Sequence, residues 1–194
     1  RIPTFKFAVI VFALCFGAAA SAMLSLPFFY ENTIGLATST VGMLFMAWPV
    51  GSTLMARPAA YLSNKYPASI LAAIGSIVMC CALSILILLP KDAWLGLYAL
   101  CMFFCGLGFG FIQTPNNKTI LLSTPIHRSG ATGATQSSAR VFGQSVGAAC
   151  VAICFHLSVN HGVYYAITTG IVAVAISTII NLVRFFRGKD IEII

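Results

Sequence analysis

Residues 70–89 read ILAAIGSIVMCCALSILILL, a run without one charged side chain. A helix that crosses a bilayer needs about 20 mostly apolar residues, because each residue adds about 1.5 Å and the hydrocarbon core is about 30 Å thick. Five further stretches of the chain meet this requirement. The predicted membrane spans therefore cover residues 7–30, 41–62, 70–89, 94–113, 139–158 and 163–183.

The composition also indicates a protein that uses the bilayer as its solvent. Of the 194 residues, 59% are hydrophobic and 8% are charged, whereas a soluble domain carries roughly 25% charged residues. Helices are expected because backbone polar groups in hydrocarbon must be satisfied within their own segment. The sequence thus predicts an all-α membrane protein with a six-helix bundle over 1–186 and a cytoplasmic tail over 187–194. The seven cysteines all lie inside the spans, and we expect them to be packing residues and not metal ligands.

The distribution of charge predicts the orientation. If the spans alternate in direction, nine basic residues lie on one side of the membrane, namely Arg1, Lys6, Arg57, Lys65, Lys118, Arg128, Arg184, Arg187 and Lys189. The other side has Lys91 and the acids Glu31 and Asp92. This pattern predicts an integral protein of the plasma (bacterial inner) membrane with both termini in the cytoplasm. The membrane topology and the attraction of basic residues to lipid headgroups therefore explain the net charge of +7, and nucleic-acid binding is not expected.

Two spans share a pattern that indicates an internal inverted repeat. Span one is predicted to end near Pro27, which is followed by Phe28-Phe29-Tyr30-Glu31. Span four is predicted to end near Pro115, which is followed by Asn116-Asn117, and it runs in the opposite direction. Paired, proline-interrupted spans of this kind mark pathway helices in transporters. Small residues that allow close helix packing are the glycines at positions Gly106, Gly108, Gly110, Gly143 and Gly147.

The most specific stretch is residues 106–117, GLGFGFIQTPNN, followed by Pro125-x-x-Arg128-Ser129-Gly130-Ala131 and by Gln136, Arg140, Gly143-Gln144 and Gly147. It resembles the C-terminal half of a multidrug exporter of the major facilitator superfamily, in the fourteen-span drug:proton antiporter branch. The resemblance implies half of that fold, built as a 3+3 inverted repeat. It also implies an N-terminal half that this chain does not supply, in the same polypeptide if the chain is a fragment.

A second match lies in residues 60–67, AYLSNKYP, which resemble the cytoplasmic loop that follows the second span of each half in this family. The resemblance places Asn64 at the position of the family's acid and Lys65 at that of its arginine. It implies that both belong to a loop that changes contacts during alternating access. The missing acid at Asn64 weakens the expected charge latch.

Polar side chains within spans are costly and are therefore candidates for function. The predicted substrate-pathway residues are Phe28, Phe29, Tyr30, Gln113, Asn116, Asn117, Gln136, Arg140 and Gln144, and Glu31 is the candidate proton or cation site. Each has an ordinary alternative, as an interfacial aromatic, a helix-end residue or a surface charge. Arg140 lies deep in the membrane if span five begins at Gly130, and snorkels to the surface if it begins at Ala139.

The resemblance implies proton-coupled export of small hydrophobic or cationic substrates by alternating access. The chain has no phosphate-binding loop and no carboxylate pair or His/Asp pair inside a span, so we expect neither an enzyme nor a cofactor. The expected partners are the lipid bilayer, the substrate, the proton and the other transporter half. The alternative is a truncated or non-transporting membrane subunit with a structural or assembly role.

Overall fold

The computed structural model describes residues 2–122, 129–158 and 161–187. Within these ranges the chain forms six long helices and no strand. They are α1 (Ile2–Phe28), α2 (Thr38–Leu62), α3 (Ala68–Leu88), α4 (Leu95–Leu122), α5 (Ser129–Leu157) and α6 (Gly162–Phe186). All six are long and apolar enough to cross a membrane. The predicted all-α fold with six spans is confirmed.

Helical structure does not stop at Pro27, where span one was predicted to end. It passes this proline and continues as a wider π-helical turn over Phe29–Ile34. The turn ends at Gly35, whose φ of 84° lies in the left-handed region that favours glycine. Continuous helix at this end keeps the backbone groups satisfied inside the segment.

Helix α4 likewise does not end at the predicted Gln113, and α5 begins at Ser129 and not near Ala139. Pro115 lies inside α4, which transmembrane helices tolerate when neighbouring groups satisfy the freed backbone atoms. The hydroxyl of Thr119 donates to the Pro115 carbonyl at 3.0 Å, one turn further along α4. Residues 114–122 and 129–138, which lie between the predicted spans four and five, are helical. Arg1, Arg128, Lys189 and the tail beyond Arg187 lie outside the described residues.

The helices pack as two interlocked triads. Helices α1 and α4 contact each other at the centre of the bundle; α2 and α3 pack on α4, whereas α5 and α6 pack on α1. A further contact joins α3 to α6. Exchanging α1 with α4, α2 with α5 and α3 with α6 leaves these contacts unchanged, whereas α5 also contacts α6 and the described residues of α2 and α3 make at most a marginal contact with each other. This is the arrangement of the predicted 3+3 repeat.

Glycines bring the central helices into backbone contact with their neighbours. A Cβ on Gly147 of α5 would lie 2.3 Å from the carbonyl oxygen of Gly17 in α1, and one on Gly106 of α4 would lie 2.1 Å from that of Trp48 in α2. No side chain fits at such distances. Close backbone contact at a glycine therefore holds together both the α1–α5 pair and its counterpart, the α4–α2 pair.

Helix α6 continues to Phe186, so Arg184 lies within the helix and not in the predicted connection after it. Its side chain is only 1% exposed, and Nη1 donates to Oδ1 of Asn181 at 3.3 Å. One turn earlier the buried Ser177 contacts the thiol of Cys15 in α1 at 3.4 Å. Ser177, Asn181 and Arg184 recur every three or four residues, which is the sequence signal for one polar helix face. The signal was missed because span six was predicted to end at Val183.

Candidate functional site

The end of α4 that follows Pro115 is tied to two neighbouring helices by consecutive side chains. The buried Asn116 donates from Nδ2 to the carbonyl oxygen of Ala8 in α1 at 2.8 Å. Asn117 accepts a hydrogen bond at 2.5 Å from Nε2 of Gln136 in α5. Successive residues of a helix point about 100° apart, so adjacent positions reach different partners. Gln136 and Asn117 are thus brought together.

The next residue of α4, Lys118, holds the turn between α2 and α3. Its Nζ donates to the carbonyl oxygen of Ser63 at 2.9 Å and to Oδ1 of Asn64 at 2.5 Å. Asn64 therefore contacts α4 without an acidic group. Lys65 is exposed, and its Nζ lies 4.6 Å from the ring centroid of Tyr61. The contribution of Lys118 was missed because the residue was counted only as a cytoplasmic charge.

We call Asn116, Asn117 and Lys118 the inner clasp. An outer clasp of aromatic residues, Phe28, Phe29 and Tyr30, follows Pro27 at the end of α1. The exposed Phe28 ring lies 5.1 Å from that of Phe155 in α5. The buried Phe29 ring meets Tyr164 of α6 edge to face at 5.8 Å. Aromatic pairs in this range attract each other beyond their buried area.

Tyr30 completes the outer clasp from a fully buried position in the π-helical turn. Its ring lies 5.7 Å from that of Tyr98 in α4 and 6.4 Å from that of Phe45 in α2, both edge to face. The Tyr30 hydroxyl has no hydrogen-bond partner among the described residues. Glu31, the next residue, is partly buried. A π-helical turn often occurs at a functional site.

The two clasps lie at opposite ends of the bundle, because α1 and α4 run antiparallel and each clasp follows the proline of its helix. The structure therefore does not bring Phe28, Phe29 and Tyr30 close to Asn116 and Asn117. Instead, both groups join the central helices to the surrounding ones. The outer contacts are aromatic and the inner ones are hydrogen bonds.

Helix α5 presents the remaining predicted pathway residues. Gln136 is partly buried, and Arg140 and Gln144 follow at intervals of four residues with exposed side chains. Arg140 lies about 16 Å along the helix from Ser129, at 1.5 Å per residue. Gln113 is partly buried on α4, one turn from Asn117. Arg140 thus combines a mid-helix position with exposure on the bundle surface, where contact with hydrocarbon is unfavourable.

Comparison with known proteins decides the family. The model of the Major Facilitator Superfamily matches residues 1–148. The chain belongs to the major facilitator superfamily. Members of this family are membrane transporters and not enzymes.

Two curated relatives extend the match over most of the chain. The uncharacterized transporter YebQ of Escherichia coli strain K12 is 34% identical over 190 residues, which cover 98% of this chain and 42% of YebQ. The riboflavin transporter RibZ of Clostridioides difficile strain 630 is 28% identical over 165 residues, which cover 82% of this chain and 36% of RibZ. The chain thus spans less than half the length of the curated relatives it matches.

Proposed function

We propose that this chain forms the C-terminal six-helix half of a fourteen-span transporter that exports hydrophobic or cationic compounds in exchange for protons. It acts in the plasma (bacterial inner) membrane, with both termini in the cytoplasm. The observation that carries this proposal is the exposed polar face of α5, with Arg140 in mid-helix. A charge at that depth is stable only against water or protein. A central cavity closed by a second half would place Arg140 against both water and protein.

The glycine contacts and the two clasps support alternating access. Helices in backbone contact at Gly147 and Gly106 keep α1–α5 and α4–α2 as rigid pairs. Asn116 and Asn117 of the inner clasp, which join α4 to α1 and α5, exchange their hydrogen bonds for bonds to water when the cytoplasmic side opens, at a small net cost. Tyr30 of the outer clasp, which packs on α2 and α4, must expose aromatic surface to open, which is unfavourable in water. In this mechanism the cytoplasmic end opens by exchange of hydrogen bonds, whereas the outer end opens by exposure of aromatic surface.

Glu31 is the proposed proton-binding group. Among the described residues the only acids are Glu31 and Asp92. Glu31 is partly buried beside the outer clasp, whereas Asp92 is exposed in the α3–α4 connection. A carboxylate beside aromatic rings also offers a favourable place for an organic cation. Arg140 would repel the same cation, so we place the cation nearer the outer end of the pathway.

A second substrate class is a flat, polar heteroaromatic compound. Arg140 and Gln144 supply hydrogen-bond donors on one face of α5, which suit acceptor-rich rings better than cations. One relative is a riboflavin transporter. Riboflavin is therefore the reference compound for this class.

Transport is tested in everted membrane vesicles from cells that lack their own drug exporters. The vesicles contain either the chain alone or a chimera in which it replaces the matching segment of RibZ. Ethidium and riboflavin uptake are measured with an imposed pH gradient and again after nigericin collapses it. We expect gradient-dependent ethidium uptake by the chimera. Glu31→Gln should abolish gradient-driven accumulation but leave counterflow, whereas Asp92→Asn should change neither.

The other outcomes are distinct. Uptake of riboflavin without ethidium would replace the drug substrate with the second class. A chimera that inserts normally yet moves neither compound would favour the non-transporting subunit. Orientation is read in intact cells with a membrane-impermeant amine reagent, which should label the exposed Lys91 but not the exposed Lys65.

A further inference from the structure

An apolar groove of about 540 Å³ runs along the outside of the bundle where α2, α3 and α4 meet. Its walls include Met55 of α2, Ile70, Ile74 and Val78 of α3, and Phe104 and Phe111 of α4. The groove is open along its length and belongs to neither clasp. It lies away from the polar face of α5. None of the transport steps proposed above uses it.

The floor of the groove explains why it is present. A Cβ on Gly75 of α3 would lie 2.7 Å from the carbonyl oxygen of Gly108 in α4, so the two backbones touch there. Both glycines line the groove. The large side chains on either side, such as Ile74 and Phe104, therefore form the sides of the groove, and the backbone at the two glycines forms its bottom. An open hydrocarbon-walled channel in a membrane is a suitable seat for a lipid chain.

The length of the groove fits one leaflet. It begins at Tyr66, in the turn between α2 and α3, and reaches Val78. The ten helical steps from Ala68 to Val78 span about 15 Å, and one leaflet of the hydrocarbon core is about 15 Å thick. Tyrosine is enriched at the membrane–water interface, so Tyr66 marks the headgroup level. An acyl chain entering beside Tyr66 would follow the groove to the bilayer midplane.

The charge at this end favours an anionic headgroup. Lys65 is exposed next to Tyr66, and Lys118 binds the same turn through Ser63 and Asn64. The described acids, Glu31 and Asp92, both lie at the opposite end of the helices. The positive end is also the predicted cytoplasmic side, whose leaflet carries anionic lipid. A cationic substrate would be repelled at this mouth.

We propose that the groove between α2, α3 and α4 binds one anionic phospholipid of the cytoplasmic leaflet, with its acyl chain along Ile74 and Phe104 and its headgroup at Lys65. A second groove between α1, α5 and α6 is lined by Ile10, Phe142 and Thr169, but its volume of about 280 Å³ is only about half that of the first. The lipid is therefore assigned to the first groove. Because it occupies the outside of the bundle, it binds independently of the transported compound.

The test is native mass spectrometry of the purified chain in detergent, titrated with phosphatidylglycerol or with phosphatidylcholine. We expect one phosphatidylglycerol to be retained about fivefold more strongly than phosphatidylcholine, the factor expected for roughly one surface lysine. Ile74→Trp, which fills the groove, should remove binding of both lipids. Ile77→Trp is the matched control, because Ile77 is 47% exposed against 46% for Ile74 on the same helix but does not line the groove.

The lysine variants keep the test decisive if the tryptophan disturbs folding. Lys65 and Lys91 are both exposed, so neither Lys65→Gln nor Lys91→Gln disturbs the core. Only Lys65→Gln should lower phosphatidylglycerol retention to the level of phosphatidylcholine. Equal retention by Lys65→Gln and Lys91→Gln would overturn the headgroup assignment. Equal lipid binding by Ile74→Trp and Ile77→Trp would show that the groove is not the lipid-binding site, and the groove would then be assigned to contact with another protein segment.

Discussion

The rings of Tyr30 and Tyr98 meet edge to face with centroids 5.7 Å apart, and only Tyr98 has an acceptor for its hydroxyl. Tyr98 donates to the carbonyl oxygen of Pro90 at 2.9 Å, whereas the Tyr30 hydroxyl is buried without a partner among the described residues. A buried hydroxyl without a hydrogen bond costs free energy, and a bonded one stabilises. Two tyrosines in contact thus contribute to stability with opposite signs.

The first prediction concerns this pair. Tyr30→Phe should raise the free energy of unfolding by roughly 1 kcal/mol, because it removes an unpartnered polar group, and Tyr98→Phe should lower it by about the same amount. Thermal unfolding of the purified chain in one detergent measures both. A lower unfolding midpoint for Tyr30→Phe would show that its hydroxyl has a stabilising partner.

The second prediction concerns glycine packing in α5. A Cβ at Gly147 would lie 2.3 Å from the Gly17 carbonyl oxygen, so Gly147→Ala should push α5 from α1 and cost about 1–3 kcal/mol. Gly133 in the same helix has no atom within 4 Å of an added Cβ. Gly133→Ala should therefore gain about 0.5–1 kcal/mol from reduced backbone entropy. Similar unfolding midpoints for the two variants would contradict the close approach.

The third prediction concerns the hydrogen bonds of Lys118. Lys118→Met should release the α2–α3 turn, because Ser63 and Asn64 lose their contact with α4. Amide hydrogen exchange of residues 63–66 should accelerate about tenfold, as expected if roughly 1.4 kcal/mol of local stability is lost. Lys91→Met serves as the control, since Lys91 is exposed at the other end. Unchanged exchange in this turn would mean that Lys118 does not hold it.

The fourth prediction concerns the bond between Gln136 and Asn117. A double-mutant cycle with Gln136→Ala and Asn117→Ala should give a coupling energy of about 0.6 kcal/mol, the mean for hydrogen bonds between membrane helices. The same cycle with Gln136→Ala and Gln113→Ala should be additive, because Gln113 lies one turn away. If the second cycle gave the same coupling energy as the first, the coupling would not come from a specific hydrogen bond between Gln136 and Asn117.

Hydrophobic runs sufficed to predict six helices, because the bilayer imposes length and backbone satisfaction on every span. They failed at Pro115, where a rule for soluble helices ended the span too early. The hydrogen bond from Asn116, next to this proline, to Ala8 of α1 depends on a tertiary neighbour. Arg140 and Gln136 were chosen as candidates for their polarity, and their role in a pathway stays a prediction. Polarity could not reveal that Tyr30 and Asn116 are buried at opposite ends of the bundle.

The interlocked triads also constrain how the protein is made. Among the described residues, α1, α2 and α3 make at most marginal contacts with one another, since α2 and α3 rest on α4. When α1, α2 and α3 have entered the membrane but α4 has not, these three segments therefore have almost no contacts within the bundle to hold them together. The bundle can assemble only after α4 enters the membrane. Until then these helices depend on the insertion machinery or on surrounding lipid, and a pause in synthesis after α3 would leave the chain most vulnerable to degradation.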